Sequence, residues 1–215
     1  MTGVSVRRAA LSLCLLAFSL TTVGVVPAQT VPAQASRPLI TDFEGSKTLE
    51  TASTLSWMVI ADEQFGGTSE ARPTVIHPGA NGSRGALRIS FRLTSEFPTP
   101  FASVWALIGP EGEPIDLSAY RGVRFYARST GGKPVAAGVV RYAGQVQRYL
   151  KSFETKPEWT LVELPFDQFR QMMMPGAAGE APALVPTGIT SIGITTSPQQ
   201  AGEFDLDIDH VELYR

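Results

Sequence analysis

The chain has 215 residues, 43% hydrophobic and 18% charged, with 18 basic against 20 acidic side chains and a formal charge of −2. That length suits one domain burying roughly 70% of its unfolded surface, with no need of a metal or disulfide staple. The acidic balance excludes nucleic acid as a general partner, and the single cysteine excludes an intrachain disulfide.

The chain opens like a secretory signal. Arg7 and Arg8 form a charged start, Leu11 to Leu20 an apolar stretch, and small residues offer cleavage after Ala28 or after Ala35. The apolar run weakens at Thr21, Thr22 and Gly24, short of the ~20 residues a membrane span needs. The expectation is a periplasmic or secreted monomer that meets the membrane only during export. Loss of residues 1–28 removes two Arg, no acid and Cys14, leaving 16 basic against 20 acidic residues, a formal charge of −4, and no thiol. Residues 29–38, rich in Pro, Ala and Gln, read as a flexible linker, and the domain spans residues 39–215.

From Leu39 onward, short strand-like runs are separated by turn chemistry. Asp42-Phe43-Glu44 opens the domain. Trp57 to Ile60 is a buried segment leading into Asp62, then Gly66-Gly67 and Ser69. One reading of that stretch is a strand end with a tight turn. The other is a ligand loop, in which Gly66 and Gly67 supply backbone donors between Asp62 and Ser69. Leu87 to Leu93 and Val123 to Ala127 alternate apolar with polar residues, as half-buried strands do. Phe101–Ile108, Val135–Tyr142, Gln145–Phe153, Thr160–Leu164, Ile189–Thr195 and Phe204–Leu213 continue the series, with short helical turns over 116–120 and 166–173. Met172 to Pro186 reads as a loop insertion. About nine short strands with Gly/Pro-rich turns predict an all-β fold, an antiparallel β-sandwich of jelly-roll type.

Catalytic signatures are missing: the sequence has two histidines, His77 and His210, and contains no G-x-S-x-G, H-E-x-x-H or phosphate-binding loop. A non-catalytic protein is expected. Asp205, Asp207 and Asp209 share one face of a strand, which suits either calcium or a solvated edge strand whose Phe204, Leu206 and Ile208 enter the core. Glu44 and Asp209 are the candidate metal ligands, for a structural Ca²⁺ where the first and last strands meet. A second constellation is basic and aromatic. Arg88, Arg92, Arg124, Tyr126, Arg128, Arg141, Arg148, Tyr149 and Lys151 would share one sheet face if their strands pair, and guanidiniums and phenols suit sugar hydroxyls, carboxylates or a protein partner. Arg124, Tyr126, Arg141 and Tyr149 are therefore candidate ligand-binding residues beside the Asp62–Ser69 loop.

The order of these pieces is more specific than their types. Trp57 to Ser69 resembles the W-x-x-x-x-D-x-x-x-G-G-x-S signature of the complex I intermediate-associated protein 30 (CIA30) family, with Phe65 where that family often has methionine. Phe101-Ala102-Ser103, Asp116 to Val123, Phe153 with Trp159, Leu164-Pro165-Phe166 with Phe169, Ile192-Gly193-Ile194 and Phe204 to Leu213 follow in the family's order. The resemblance covers most of Leu39 to Arg215. It implies a galactose-binding-domain-like jelly roll, similar also to family 11 carbohydrate-binding modules, which share the Asp-Phe-Glu opening and the closing Asp209-type strand. Mitochondrial members of the family act as assembly chaperones for respiratory complex I. Two functions follow as expectations: an exported module that binds a glycan or envelope ligand, or an assembly factor that holds an envelope protein, with Met172-Met173-Met174 as its docking loop.

Overall fold

The computed structural model describes residues 39–44, 57–109, 112–131, 133–173, 178–196 and 201–215. The segments expected to be an export signal and a linker, and Met174, lie outside the described residues. Among the described residues the chain forms twelve strands: β1 (Leu39–Thr41), β2 (Trp57–Ala61), β3 (Glu70–Ile76), β4 (Ala86–Leu93), β5 (Ala102–Leu107), β6 (Gly122–Arg128), β7 (Val135–Tyr142), β8 (Val146–Phe153), β9 (Thr160–Pro165), β10 (Arg170–Gln171), β11 (Ile189–Thr196) and β12 (Gly202–Tyr214). One sheet runs β3-β4-β12-β6-β9, with β1 also paired to β12. The other runs β10-β8-β7-β11-β5-β2. Neighbours pair antiparallel throughout, giving the β-sandwich expected from the strand pattern.

Period-two alternation builds the core. Leu87, Ile89 and Phe91 of β4, Val123, Phe125 and Ala127 of β6, and Phe204, Leu206 and Ile208 of β12 face inward. They meet Val104 of β5, Val135, Ala137 and Val139 of β7, and Ile192 and Ile194 of β11 from the opposite sheet. Phe91 stacks on Phe204 at 5.0 Å, and Phe125 meets Phe153 edge-on at 5.2 Å. In Ile192-Gly193-Ile194 the two isoleucines enter the core, while Gly193 lies under the Trp105 indole. A Cβ there would come 2.7 Å from the ring.

Four local expectations change. β3, which contains Pro73, was not among the expected strands. It forms the edge of its sheet, where a proline can leave one side of the ladder unpaired. The helix expected over 166–173 is a 3-10 turn at Phe166–Gln168 followed by β10, with Phe166 and Phe169 both buried. Residues 116–120 make a turn, closed by the Tyr120 amide on the Leu117 carbonyl at 2.9 Å. β12, for which an edge position was one of two readings, is central between β4 and β6 and also pairs with β1, so its acids have neighbours on both sides.

Candidate functional site

The Asp62–Ser69 stretch forms a latch. Asp62 begins a 3-10 turn ending at Phe65, which brings its carboxylate back under the loop. Fully buried, it accepts the Ser69 amide on Oδ1 at 2.8 Å and the Phe101 amide on Oδ2 at 3.1 Å. Gly67 is bare because a Cβ there would lie 2.3 Å from Asp62 Oδ1. Ser69 is also fully buried, and its Oγ accepts the Thr94 amide at 3.1 Å. Gly66 takes a left-handed φ of 91°, and its amide donates back to Glu63. Asp62, Gly67 and Ser69, expected to line a ligand loop, are instead buried, and the polar groups of Asp62 and Ser69 tie the starts of β3 and β5 to the end of β4.

The basic and aromatic residues divide between two sheets. Arg141 and Tyr149 lie on β7 and β8, in the sheet opposite Arg124 and Tyr126 on β6. Tyr149 is in the core, with its hydroxyl on Gln147 Oε1 at 3.2 Å. Arg141 spends its guanidinium on the Thr187 carbonyl and on Gln147. The single face expected from sequence does not form, because the chain crosses to the other sheet between β6 and β7.

The outer face of the β12 sheet carries charge in register. Glu70, Arg92 and Glu203 share one cross-strand row, and Arg72, Ser90 and Asp205 the next. Arg88, Asp207 and Arg128 then form a ridge, with the Arg128 guanidinium 4.5 Å over the Trp159 ring. Beyond it come Asp209, Tyr126 and Leu161, then Glu212, Arg124 and Glu163. A β-bulge separates these last two rows, with His210 at φ 51°.

At that bulge a cleft of about 430 Å³ opens, lined by Ala80, Asn81, Ser83, Arg124, Tyr126, Leu161, His210 and Glu212. Asp209, buried behind the cleft, holds one wall in place: its Oδ2 accepts the Ala80 amide at 2.8 Å, so the loop after β3 folds over the sheet. Arg124 forms the floor, with Nε 2.5 Å from Glu212 and Nη1 3.4 Å from Glu163. Beyond the ridge a second cleft of about 490 Å³ includes Arg72, Ser90 and Asp205. Sequence reasoning found Arg124 and Tyr126 but missed His210, Glu212 and Leu161.

Glu44 and Asp209 do not fit the expected calcium. Glu44 takes the Arg84 amide at 3.0 Å and Arg84 Nε at 3.1 Å, and these bonds hold its carboxyl below the usual range. Asp209 is fully buried and accepts the amides of Ala80 and His210. Burial pushes its carboxyl up, while hydrogen bonds from Ala80, Ser83 and His210 act in the opposite direction. Calcium needs about six to eight oxygens. These lone pairs point at N–H donors, and among the described residues no group of three His, Cys, Asp or Glu could hold a metal ion. We expect the same melting temperature in excess chelator as in millimolar calcium. A rise of several degrees with calcium would show a bound ion.

No curated protein matches the chain at a significant level. Among solved structures it is similar to the family 11 carbohydrate-binding module of the cellulosomal cellulase Lic26A-Cel5E of Clostridium thermocellum, at 17% identity and a TM-score of 0.61, covering 83% of this chain and 94% of that one. The family 11 module from the same organism in complex with a β-1,3-1,4-mixed-linked tetrasaccharide gives 18%, 0.61, 83% and 95%. The family 30 module of Clostridium thermocellum Cel9D-Cel44B gives 13%, 0.58, 81% and 95%. At such identities the likeness is one of fold. The model of the Complex I intermediate-associated protein 30 (CIA30) family matches residues 41–208, more than half of the sequence, and the chain belongs to that family.

Proposed function

We propose that this protein is an exported, non-catalytic module that binds a neutral glycan in the cleft around Tyr126. The observation that carries the reading is the chemistry of that cleft. An amide, a hydroxyl, an imidazole, a phenol, a guanidinium and a carboxylate border one cavity, with the Tyr126 ring and Leu161 as apolar surface. Sugars present hydroxyls at their edges and C–H groups on their faces, and such a lining meets both. Neutrality follows from pairing. Glu70 meets Arg72 and Arg92, Asp207 meets Arg88 and Arg128, and Arg124 meets Glu212 and Glu163. An anionic ligand would have to break these pairs, whereas hydroxyls can add to them. The likeness to carbohydrate-binding modules supports the ligand class, and the sequence of residues 1–28 supports export.

The test is retention of the chain from Gln29 on an array of neutral and anionic glycans. Tyr126→Ala should weaken retention by about tenfold or more, the loss of ~1.4 kcal/mol of contact, while changing stability by less than ~0.5 kcal/mol. Arg124→Ala is the poorer probe, because the Glu212 side chain is only 7% exposed and would lose its Arg124 pair. Absence of any glycan signal would end this reading. The assembly-factor alternative is favoured by one observation, the exposure of Met172 and Met173 beyond β10. It predicts capture of a defined envelope protein, lost in Met172→Asp.

A further inference from the structure

The outer face of the sheet opposite the cleft ends in a surface of different character. Tyr142 of β7 is paired with Val146 of β8, and they are 50% and 64% exposed. The Met172 amide donates to the Arg148 carbonyl at 2.7 Å, which places Met172 beside Arg148 on the same side, 57% exposed. Arg170 stands opposite Leu150 in the next row. Scattered exposed apolar residues need no explanation, but here they occupy adjacent rows of three neighbouring strands. The contrast in charge is equally marked. On the β12 sheet Arg72, Arg88, Arg92, Arg124 and Arg128 each meet a carboxylate. Among the described residues Arg148 makes no ion pair, and Arg170 bonds only to the main-chain carbonyls of Asp167 and Phe169.

We infer that this surface, formed by Tyr142, Val146, Met172, Arg148 and Arg170, docks an acidic, apolar-rich segment of a partner protein. Tyrosine and methionine give adaptable apolar contact, and the two guanidiniums lack the carboxylates that such a segment would supply. Recognition runs through side chains. The outer edge of β10 is already covered, because the Gln171 amide donates to Pro182 and Arg170 bridges Ala183, so no partner strand adds there. The surface is separate from the glycan cleft, on the other sheet, and stands whether or not that cleft binds a sugar.

The probe is a fluorescent amphipathic peptide of leucine and glutamate, followed by anisotropy against the chain from Gln29, beside a leucine–lysine counterpart and phosphatidylglycerol vesicles. The expected result is saturable binding of the acidic peptide that weakens with salt. It should fall about tenfold in Arg148→Glu and in Met172→Asp, with unchanged melting curves, and stay intact in Tyr126→Ala. Equal binding of the lysine peptide, or indifference to Arg148→Glu, would overturn the proposal. Vesicle binding without peptide binding would also overturn it, by assigning the surface to anionic lipid.

Discussion

Replacing Asp62 with alanine is expected to cost about 4 kcal/mol, because the amides of Ser69 and Phe101 both lose their acceptor in a fully buried site. In a domain of this size, that loss lowers the melting temperature by roughly 10 °C. Asp62→Asn keeps one acceptor oxygen and turns an NH₂ toward the other amide, so it should lose about half as much. Gly67→Ala should approach the Asp62→Ala value, since its Cβ would occupy the carboxylate's place. The two changes are coupled. Once Asp62 is alanine, the two nearest obstacles to a side chain at position 67 are gone and the Cβ of residue 62, 3.0 Å away, remains, so the second substitution should add little. Chemical denaturation of the two single variants and the double variant measures this directly. Additive losses would contradict the latch, and a loss of glycan retention per folded molecule would restore Asp62 to a ligand-binding role.

The latch also shows how far sequence reaches. Two adjacent glycines beside an aspartate correctly signalled a close approach to the main chain. The direction of that approach depends on a 3-10 turn that nothing in the residue types announces, so a buried carboxylate was read as a rim. β4, β6 and β12 were legible because alternation is local and survives any arrangement of partners. The grouping of arginines was not, because it depends on which strand crosses to the other sheet, and β6 and β7 part company there.

The bulge at His210 was written in the sequence and overlooked. Phe204, Leu206 and Ile208 point inward, then Val211 and Leu213, so the period-two phase slips by one between Ile208 and Val211. That slip turns Asp209 beneath the loop after β3, sets His210 and Glu212 at the cleft, and makes the cleft itself. The calcium expectation lacked a related piece of information. Acids at alternate positions specify a shared face and say nothing of what stands opposite, which here is arginine or backbone N–H.

Asp207 is the second position where a large effect is expected. Its side chain is only 4% exposed, and it accepts Arg88 Nε at 2.7 Å, Arg88 Nη2 at 2.9 Å and Arg128 Nε at 2.9 Å. The hydrogen bond to Asp207 leads the causes that raise the Arg88 pKa. Asp207→Ala leaves two guanidiniums facing one another across β12, with Asp205, 3.8 Å from Arg88 Nη1, as the remaining carboxylate beside them. A fully buried pair broken in this way loses about 3–5 kcal/mol. Both arginines are roughly one-third exposed, so water answers part of their charge and ~2–3 kcal/mol is the better expectation. Added salt should recover some of that loss by screening the two like charges. The triple variant Arg88→Met, Asp207→Leu, Arg128→Met should then be more stable than Asp207→Ala alone, because it removes every ion together and leaves methionine to pack on Trp159. A triple variant that melts below Asp207→Ala would show that the network stabilises the sheet outright. The expected order assigns it a different role: a ridge in which Asp207 and, at 3.8 Å, Asp205 answer the two guanidiniums, as the proposed binding of a neutral ligand requires.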